Sequence, residues 1–323
     1  MSEPMAADDL LVVDDVTPDS AGTVARSPLQ LFWRRFRRDK VALGALVVIL
    51  ALVLIAVFAP VIVELAGTPG PRTQSSEALD VFGGATGPSA EHPFGVDRLG
   101  RDVFSRTVYG ARVSLEVAVI ATGIAVLIGV VVGVIAGFYR GWVDGLLSRL
   151  TDVVLAFPIL LLGFGIAAAC SGVDGCIAGT IQPGLSVVIL VIAVINWTYI
   201  ARIMRGQVLS LREKEFVEAA RSLGASNRQI IVREILPNLV APLIVYTSLL
   251  IPANILLEAA LSFLGVGVEA GTASWGGMIS EATSLFPEAW WFMLFPGLAL
   301  LITVLAFNLV GDGLKDALHP RRR

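Results

Sequence analysis

The sequence has 323 residues, of which 55% are hydrophobic and only 16% are charged. These values exclude an ordinary soluble domain, because the apolar residues form long uncharged stretches separated by short charged segments. The net charge of −3 identifies no partner, since the basic residues are segregated by position along the chain. We therefore predict an all-α integral membrane protein.

The first 27 residues carry six acidic residues and one basic residue among scattered proline, serine and glycine. Such a segment buries too little apolar surface to fold alone, so residues 1–27 are predicted to form a disordered, acidic cytoplasmic tail. An acidic docking segment for another protein is the alternative. We expect no signal peptide here, because the first apolar stretch begins only near position 41 and is long enough to span a membrane.

Six apolar stretches are long enough to cross a bilayer as helices, which requires about 20 residues each. They are residues 41–63, 117–138, 153–173, 177–201, 239–257 and 289–310. The last two contain Pro242, Pro252 and Pro296. Membrane helices tolerate proline where neighbouring groups satisfy the freed carbonyls, so we expect kinks there and not breaks.

The placement of lysine and arginine determines the orientation of these spans. With the N-terminus in the cytoplasm, 19 of the 24 lysines and arginines lie inside and five lie outside. The reverse orientation would invert this distribution, so both termini are predicted to be cytoplasmic. The predicted organisation begins with a basic flank and the first span at 28–64, followed by an extracytoplasmic loop at 65–113. A core at 114–312 holds the other five spans and contains a cytoplasmic loop at 202–237. A basic cytoplasmic tail follows at 313–323.

A stripe of small residues recurs every four positions in the second stretch, at Gly129, Gly133 and Gly137. This spacing places the three glycines on one helix face, where another helix can approach closely. The alternative is the general abundance of glycine in membrane helices. The pattern predicts helix packing and no chemistry.

Two cysteines, Cys170 and Cys176, lie between the third and fourth stretches. The predicted topology places them on the extracytoplasmic side, which is oxidising in most cells. A short disulfide loop is therefore one prediction, and two free thiols are the alternative.

The central parts of the six stretches contain no Asp, Glu, Lys, Arg or His. An ion-coupled transporter or a membrane-embedded hydrolase would need such groups there. Asn196 and Asn254 are the notable amides, and we expect them to bridge helices, with ligand binding as the alternative. His92 could be a metal ligand in isolation, but we predict an ordinary loop residue and no metal site. The chain also lacks a Gly-x-x-x-x-Gly-Lys-Ser/Thr phosphate loop, so it is predicted to bind no cofactor of its own.

The longest internal cytoplasmic segment, residues 202–237, is predicted to contain two short helices at an angle. The apolar face of the first helix comprises Phe216, Ala219, Ala220 and Leu223. Gly224 follows where a left-handed helix cap is needed, and Ser226 with Gln229 has the spacing of a capping box. These residues alone favour equally a docking element for another protein and a loop that lies on lipid headgroups.

The same loop resembles the EAA loop of ATP-binding-cassette (ABC) importer permeases. The matching residues are Glu218, Ala219, Ala220, Gly224, Leu236 and Pro237. One departure is Glu234, which stands where that family usually has isoleucine. In the family, the glycine-bearing bend docks into a cleft of an ATPase subunit and passes its motion to the membrane helices. The resemblance therefore implies ATPase coupling for these six residues.

Five further blocks, in chain order, look like the C-type permease of dipeptide, oligopeptide and nickel importers. They are residues 34–40, 92–106, 109–115, 261–267 with 274–276, and 311–318. The Pro-Pro pair that is usual before the Ser-Trp-Gly block is replaced here by residues 269–273, so the shape of that outer loop is expected to differ.

The resemblance implies a type I ABC importer permease (MetI-like) fold with six transmembrane helices in a bacterial inner membrane. It implies four kinds of partner: a second homologous permease, two ABC ATPases that bind ATP and magnesium, an extracytoplasmic substrate-binding protein and membrane lipid, with no nucleic acid. The chain itself is then a transport subunit and not an enzyme. Di- or oligopeptides are the expected cargo, with nickel or another small solute as the alternative. A secondary transporter and a membrane scaffold are the other classes that stay open.

Overall fold

The computed structural model describes residues 28–170, 172, 176, 181, 184–268 and 271–318. The predicted acidic tail and residues 319–323 lie outside these residues. The described helices, in chain order, are α1 (Pro28–Phe36), α2 (Lys40–Val57), α3 (Ala59–Leu65), α4 (Val103–Tyr139), α5 (Gly141–Ala156), α6 (Ile159–Ala169), α7 (Leu185–Leu211), α8 (Glu215–Ser222), α9 (Asn227–Gln229), α10 (Leu236–Phe263), α11 (Trp275–Ala282) and α12 (Trp290–Leu318). A π-helical segment, Ile230–Ile235, joins α9 to α10, and single 3₁₀ turns occupy Ser76–Ala78 and Thr283–Leu285.

Five spans in the described part of the chain are long and apolar enough to cross a membrane: α2, α4, α7, α10 with its preceding turns, and α12. The pair α5 and α6 would make a sixth, although the two helices are bent by 90° at the break between them. The structure thus confirms the predicted polytopic, all-α architecture. The orientation of the termini stays a prediction.

The predicted span over residues 153–173 is not a single straight helix. α5 ends at Ala156, and Phe157 has the extended backbone angles φ −84° and ψ 139°. Pro158 explains the break, because it has no N–H to donate and restricts the preceding residue to extended conformations. A hydrophobic stretch does not reveal such a bend, which places α5 and α6 in different directions.

The other helices differ from the predicted spans mainly at their ends. The first stretch is divided at Phe58 between α2 and α3. α4 begins at Val103, inside the predicted extracytoplasmic loop, and α7 begins at Leu185, later than predicted. α12 continues to Leu318, so the first part of the predicted C-terminal tail is helical. Continuous helices enclose the three prolines of the last two stretches, Pro242, Pro252 and Pro296.

α4 and α7 pack closely at the centre of the bundle. Three glycines of α4 face α7, namely Gly129, Gly133 and Gly137. A Cβ added at the first would lie 2.6 Å from the Ile200 Cβ, one at the second 2.6 Å from the Ala201 carbonyl oxygen, and one at the third 2.8 Å from the Val208 Cβ. These distances are shorter than van der Waals contacts, so the two helices reach this separation only because α4 has no side chains there.

Candidate functional site

The bend that follows α8 ends that helix with a Schellman motif. Gly224 adopts a φ of 82°, and its N–H donates to the Arg221 carbonyl at 3.0 Å. The Ala225 N–H donates to the Ala220 carbonyl at 3.1 Å. Because a positive φ disfavours any residue with a Cβ, glycine is the residue best suited to position 224.

A capping box begins the second half of the bend, as predicted. The Ser226 N–H donates to Gln229 Oε1 at 2.8 Å, and the Gln229 N–H donates to Ser226 Oγ at 3.4 Å. The chain then passes through the π-helical segment into α10, whose first turn contains Leu236 and Pro237. Proline is suited to a first turn, where its missing N–H has no partner to lose. The bend therefore leads into α10 without an intervening loop.

Three of the four residues of the predicted apolar face, Phe216, Ala219 and Leu223, are exposed, whereas Ala220 packs against the bundle. Leu223 is 89% exposed and Phe216 is 38% exposed, whereas Val217 is fully buried. The bend also borders a hollow of about 340 Å³ lined in part by Ala220, Gly224 and Arg233. Glu218 and Ala219 are exposed beside it. Phe216 and Leu223 therefore expose apolar surface next to a concave region of the bend.

The segment that leads into α8 is tied to the C-terminal end of α4. Arg212 Nη1 donates to the carbonyl oxygen of Phe138, and the guanidinium carbon lies 5.8 Å from the centre of the Phe138 ring. The last carbonyls of a helix have no intrahelical partner and favour a cation. Arg140 Nη2 also donates to Glu213 Oε1 at 2.8 Å. These contacts join the end of α7 and the segment before α8 to the end of α4.

A fully buried carboxyl group lies toward the other end of the bundle. Glu258 accepts hydrogen bonds from Ser114 Oγ of α4 and from Ser262 Oγ of its own helix, both at 2.8 Å. The sequence placed Glu258 at the end of an apolar stretch, but α10 continues to Phe263 and encloses it. The pattern of hydrophobic residues gives no signal for this contact, because Ser114 is 144 residues away.

A chain of polar side chains joins three helices in the core. Asn196 Nδ2 donates to Asn254 Oδ1 at 2.9 Å, and Asn254 Nδ2 donates to Thr122 Oγ1 at 2.7 Å. These bonds link α7, α10 and α4. The predicted helix-bridging role of the two asparagines is confirmed.

The loop before α4, which is predicted to be extracytoplasmic, is fixed to the bundle by charged groups. Arg101 Nε donates to Asp97 Oδ2 and Arg101 Nη2 donates to Glu281 Oε2, both at 2.6 Å. Arg106 Nη1 donates to the same Glu281 oxygen at 2.9 Å. His92 Nδ1 lies 2.8 Å from Asp102 Oδ2. These contacts hold the loop against the N-terminal end of α4 and against α11.

The structure joins Cys170 and Cys176 in a disulfide, with 4.7 Å between their Cα atoms. We expect the purified protein to take up no alkylating reagent before reduction and two equivalents afterwards, since these are the two cysteines of the chain. Mass spectrometry of the alkylated protein measures this directly. Two alkylated thiols before reduction would contradict the pairing.

Comparison with protein families identifies the chain. Residues 129–323 match the family described as binding-protein-dependent transport system inner membrane component. The chain belongs to this family. Residues 27–78 also match the N-terminal transmembrane domain of oligopeptide transport permease C. The protein is therefore a C-type inner-membrane permease of the peptide ABC importer type, as its motifs indicated.

Characterised relatives of this permease match it over almost their whole length. It is 41% identical over 299 residues to the dipeptide transport system permease protein DppC of Alkalihalophilus pseudofirmus, covering 93% of this chain and 92% of the relative. It is 42% identical over 306 residues to the glutathione transport system permease protein GsiD of Shigella flexneri serotype 5b, covering 95% and 93% respectively.

Solved structures share the permease fold. An inward-facing structure of the MetNI methionine ABC transporter aligns with a TM-score of 0.57 at 20% identity, covering 67% of this chain and 97% of that one. A structure of an amino acid ABC transporter aligns with a TM-score of 0.51 at 16% identity, covering 65% and 92%. These likenesses show the MetI-like fold.

Proposed function

We propose that this permease forms half of the translocation pathway of an ATP-driven importer for di- or oligopeptides. Its cytoplasmic bend, formed by Glu218, Ala219, Ala220, Gly224, Leu236 and Pro237, receives the motion of an ABC ATPase. Two ATPases, a second homologous permease and an extracytoplasmic substrate-binding protein complete the assembly.

One observation carries this proposal: an exposed apolar bend is linked at both ends to the core. On one side, Arg212 ties the segment before α8 to α4, and on the other side α9 continues into α10. An ATPase that moves Leu223 and Gly224 would therefore move the membrane helices as well. ATP can drive this change only if it favours one state of the transporter over the other.

The names of the relatives support a short peptide as cargo. One relative is named for dipeptides and another for glutathione, which are both small molecules with free carboxylates. Nickel or another small solute is the alternative.

The test is uptake by the permease reconstituted with its ATPases, its partner permease and its binding protein. We expect uptake of a labelled dipeptide that requires ATP, the binding protein and intact ATPase sites. Uptake that persists without the ATPases would show a secondary transporter. A complex that contains the ATPases but shows neither uptake nor ligand-stimulated ATP hydrolysis would show a scaffold.

A further inference from the structure

A pocket of about 390 Å³ opens beside the extracytoplasmic end of α4. Its walls come from the loop before α4, the first turns of α4 and the segment before α11. The polar groups in the lining belong to Arg72, Thr73, Tyr109 and Thr272, and Pro71 and Val113 contribute apolar surface. Concave sites of this size with a few convergent polar groups are typical of small-molecule binding.

Arg72 supplies the positive charge of this pocket. Its Nη2 donates to Thr272 Oγ1 at 3.0 Å, and no ion pair within the described part of the chain includes it. Arg101 and Arg106, by contrast, are buried and paired with carboxylates. A guanidinium has five N–H donors, so Arg72 has further donors available for a ligand.

The chemistry of the pocket selects an anionic group with planar geometry. Arginine binds carboxylates through two parallel hydrogen bonds, and Thr73 and Tyr109 line the same space. Cations are also disfavoured in short loops on the predicted outer side of the membrane. The hollow beside the exposed Arg98 also contains the carboxylates of Asp97 and Glu281, whereas the described residues that line the Arg72 pocket include no carboxylate. The Arg72 pocket therefore favours an anionic ligand.

We propose that the Arg72 pocket receives a carboxylate of the transported molecule as it leaves the binding protein and enters the pathway. This inference rests on the proposed import function. It assigns Arg72 to substrate transfer and not to attachment of the binding protein.

The test compares Arg72→Ala, Arg72→Gln and Arg72→Lys in the reconstituted transporter, with labelled alanylalanine as the substrate. We expect uptake per ATP hydrolysed to fall about tenfold in the first two variants, the scale of one lost charge-assisted hydrogen bond. Arg72→Lys should retain part of the uptake per ATP hydrolysed, because it keeps the positive charge. The binding-protein concentration that gives half-maximal ATP hydrolysis should stay unchanged, because docking does not involve Arg72.

Arg98→Ala is the matched control, since Arg98 is exposed on the same side but borders a different hollow. We expect it to behave like the wild type. Unchanged uptake per ATP in the Arg72 variants would overturn the inference, as would an equal loss in the Arg98 variant. A weaker response to the binding protein with normal uptake per ATP would show that Arg72 contacts that protein instead. A wild type that neither takes up alanylalanine nor responds to the binding protein would contradict the proposed function itself.

Discussion

Replacing Gly224 by aspartate should lower binding-protein-stimulated ATP hydrolysis and peptide uptake about tenfold, while the amount of permease in the membrane stays at the wild-type level. Gly224 has a φ of 82°, a left-handed conformation that costs a residue with a Cβ about 1–2 kcal/mol, and aspartate the lower part of that range. That free energy corresponds to roughly a tenfold change in an equilibrium between a bend that fits the ATPase and one that does not. The measurements are stimulated ATP hydrolysis and uptake in proteoliposomes.

The effect should come from the backbone and the docking surface and not from a clash within the permease. A Cβ at Gly224 would meet no other atom within 4 Å, so the bundle can accommodate the new side chain. The charged group would instead project beside the exposed Leu223, where we propose that the ATPase docks.

Gly206→Asp is the control for this variant. Gly206 lies near the end of α7 that precedes α8, is exposed, and also has open space around its Cβ position. It introduces the same charge at an α-helical position, without a positive φ. We expect near wild-type uptake from it. If Gly224→Asp retained full uptake, or if both variants lost it equally, the bend would not be the coupling element.

The local features of the bend were predictable because their chemistry is local. The cap at Gly224 and the box at Ser226 and Gln229 depend on residues within a few positions of one another. The sequence also predicted an apolar face of Phe216, Ala219, Ala220 and Leu223, which does not include the fully buried Val217. It could not show that Leu223 is directed outward while Val217 is buried, because burial depends on α10 and α7, which are distant in the chain.

Contacts between distant residues were not predictable from patterns. Arg212 is 74 residues from Phe138, and Glu258 is 144 residues from Ser114. Hydrophobic stretches indicate where a helix can cross the membrane, but they do not predict hydrogen bonds between helices. The break at Pro158 is different, because proline rules could have found it. The glycine stripe lies between these cases: its spacing predicts a close contact but does not identify α7 as the partner.

Replacing Gly133 by alanine should lower the free energy of unfolding by about 1–3 kcal/mol, the usual cost of inserting a methyl group into a filled contact. The new Cβ would lie 2.6 Å from the Ala201 carbonyl oxygen and 2.8 Å from the Met204 Cβ. The first of these atoms belongs to the backbone of α7, so it cannot move away by a change of rotamer, as a flexible side chain could. The helices must separate, which also removes contacts at neighbouring positions of the stripe. Equilibrium unfolding of the purified permease in mixed detergent measures this change.

Gly123→Ala provides the comparison within the same helix, because a Cβ there would meet no atom within 4 Å. The two variants add the same methyl group to α4 and differ only in what it contacts. We expect Gly123→Ala to leave the free energy of unfolding unchanged or to raise it by up to about 1 kcal/mol, because alanine is favoured over glycine in a helix. Equal effects of the two variants would show that the contact with α7 does not account for the stripe. A selective loss at Gly133 would instead show that the close contact between α4 and α7 stabilises the bundle, and it is through this contact that we propose motion of the bend reaches the rest of the bundle.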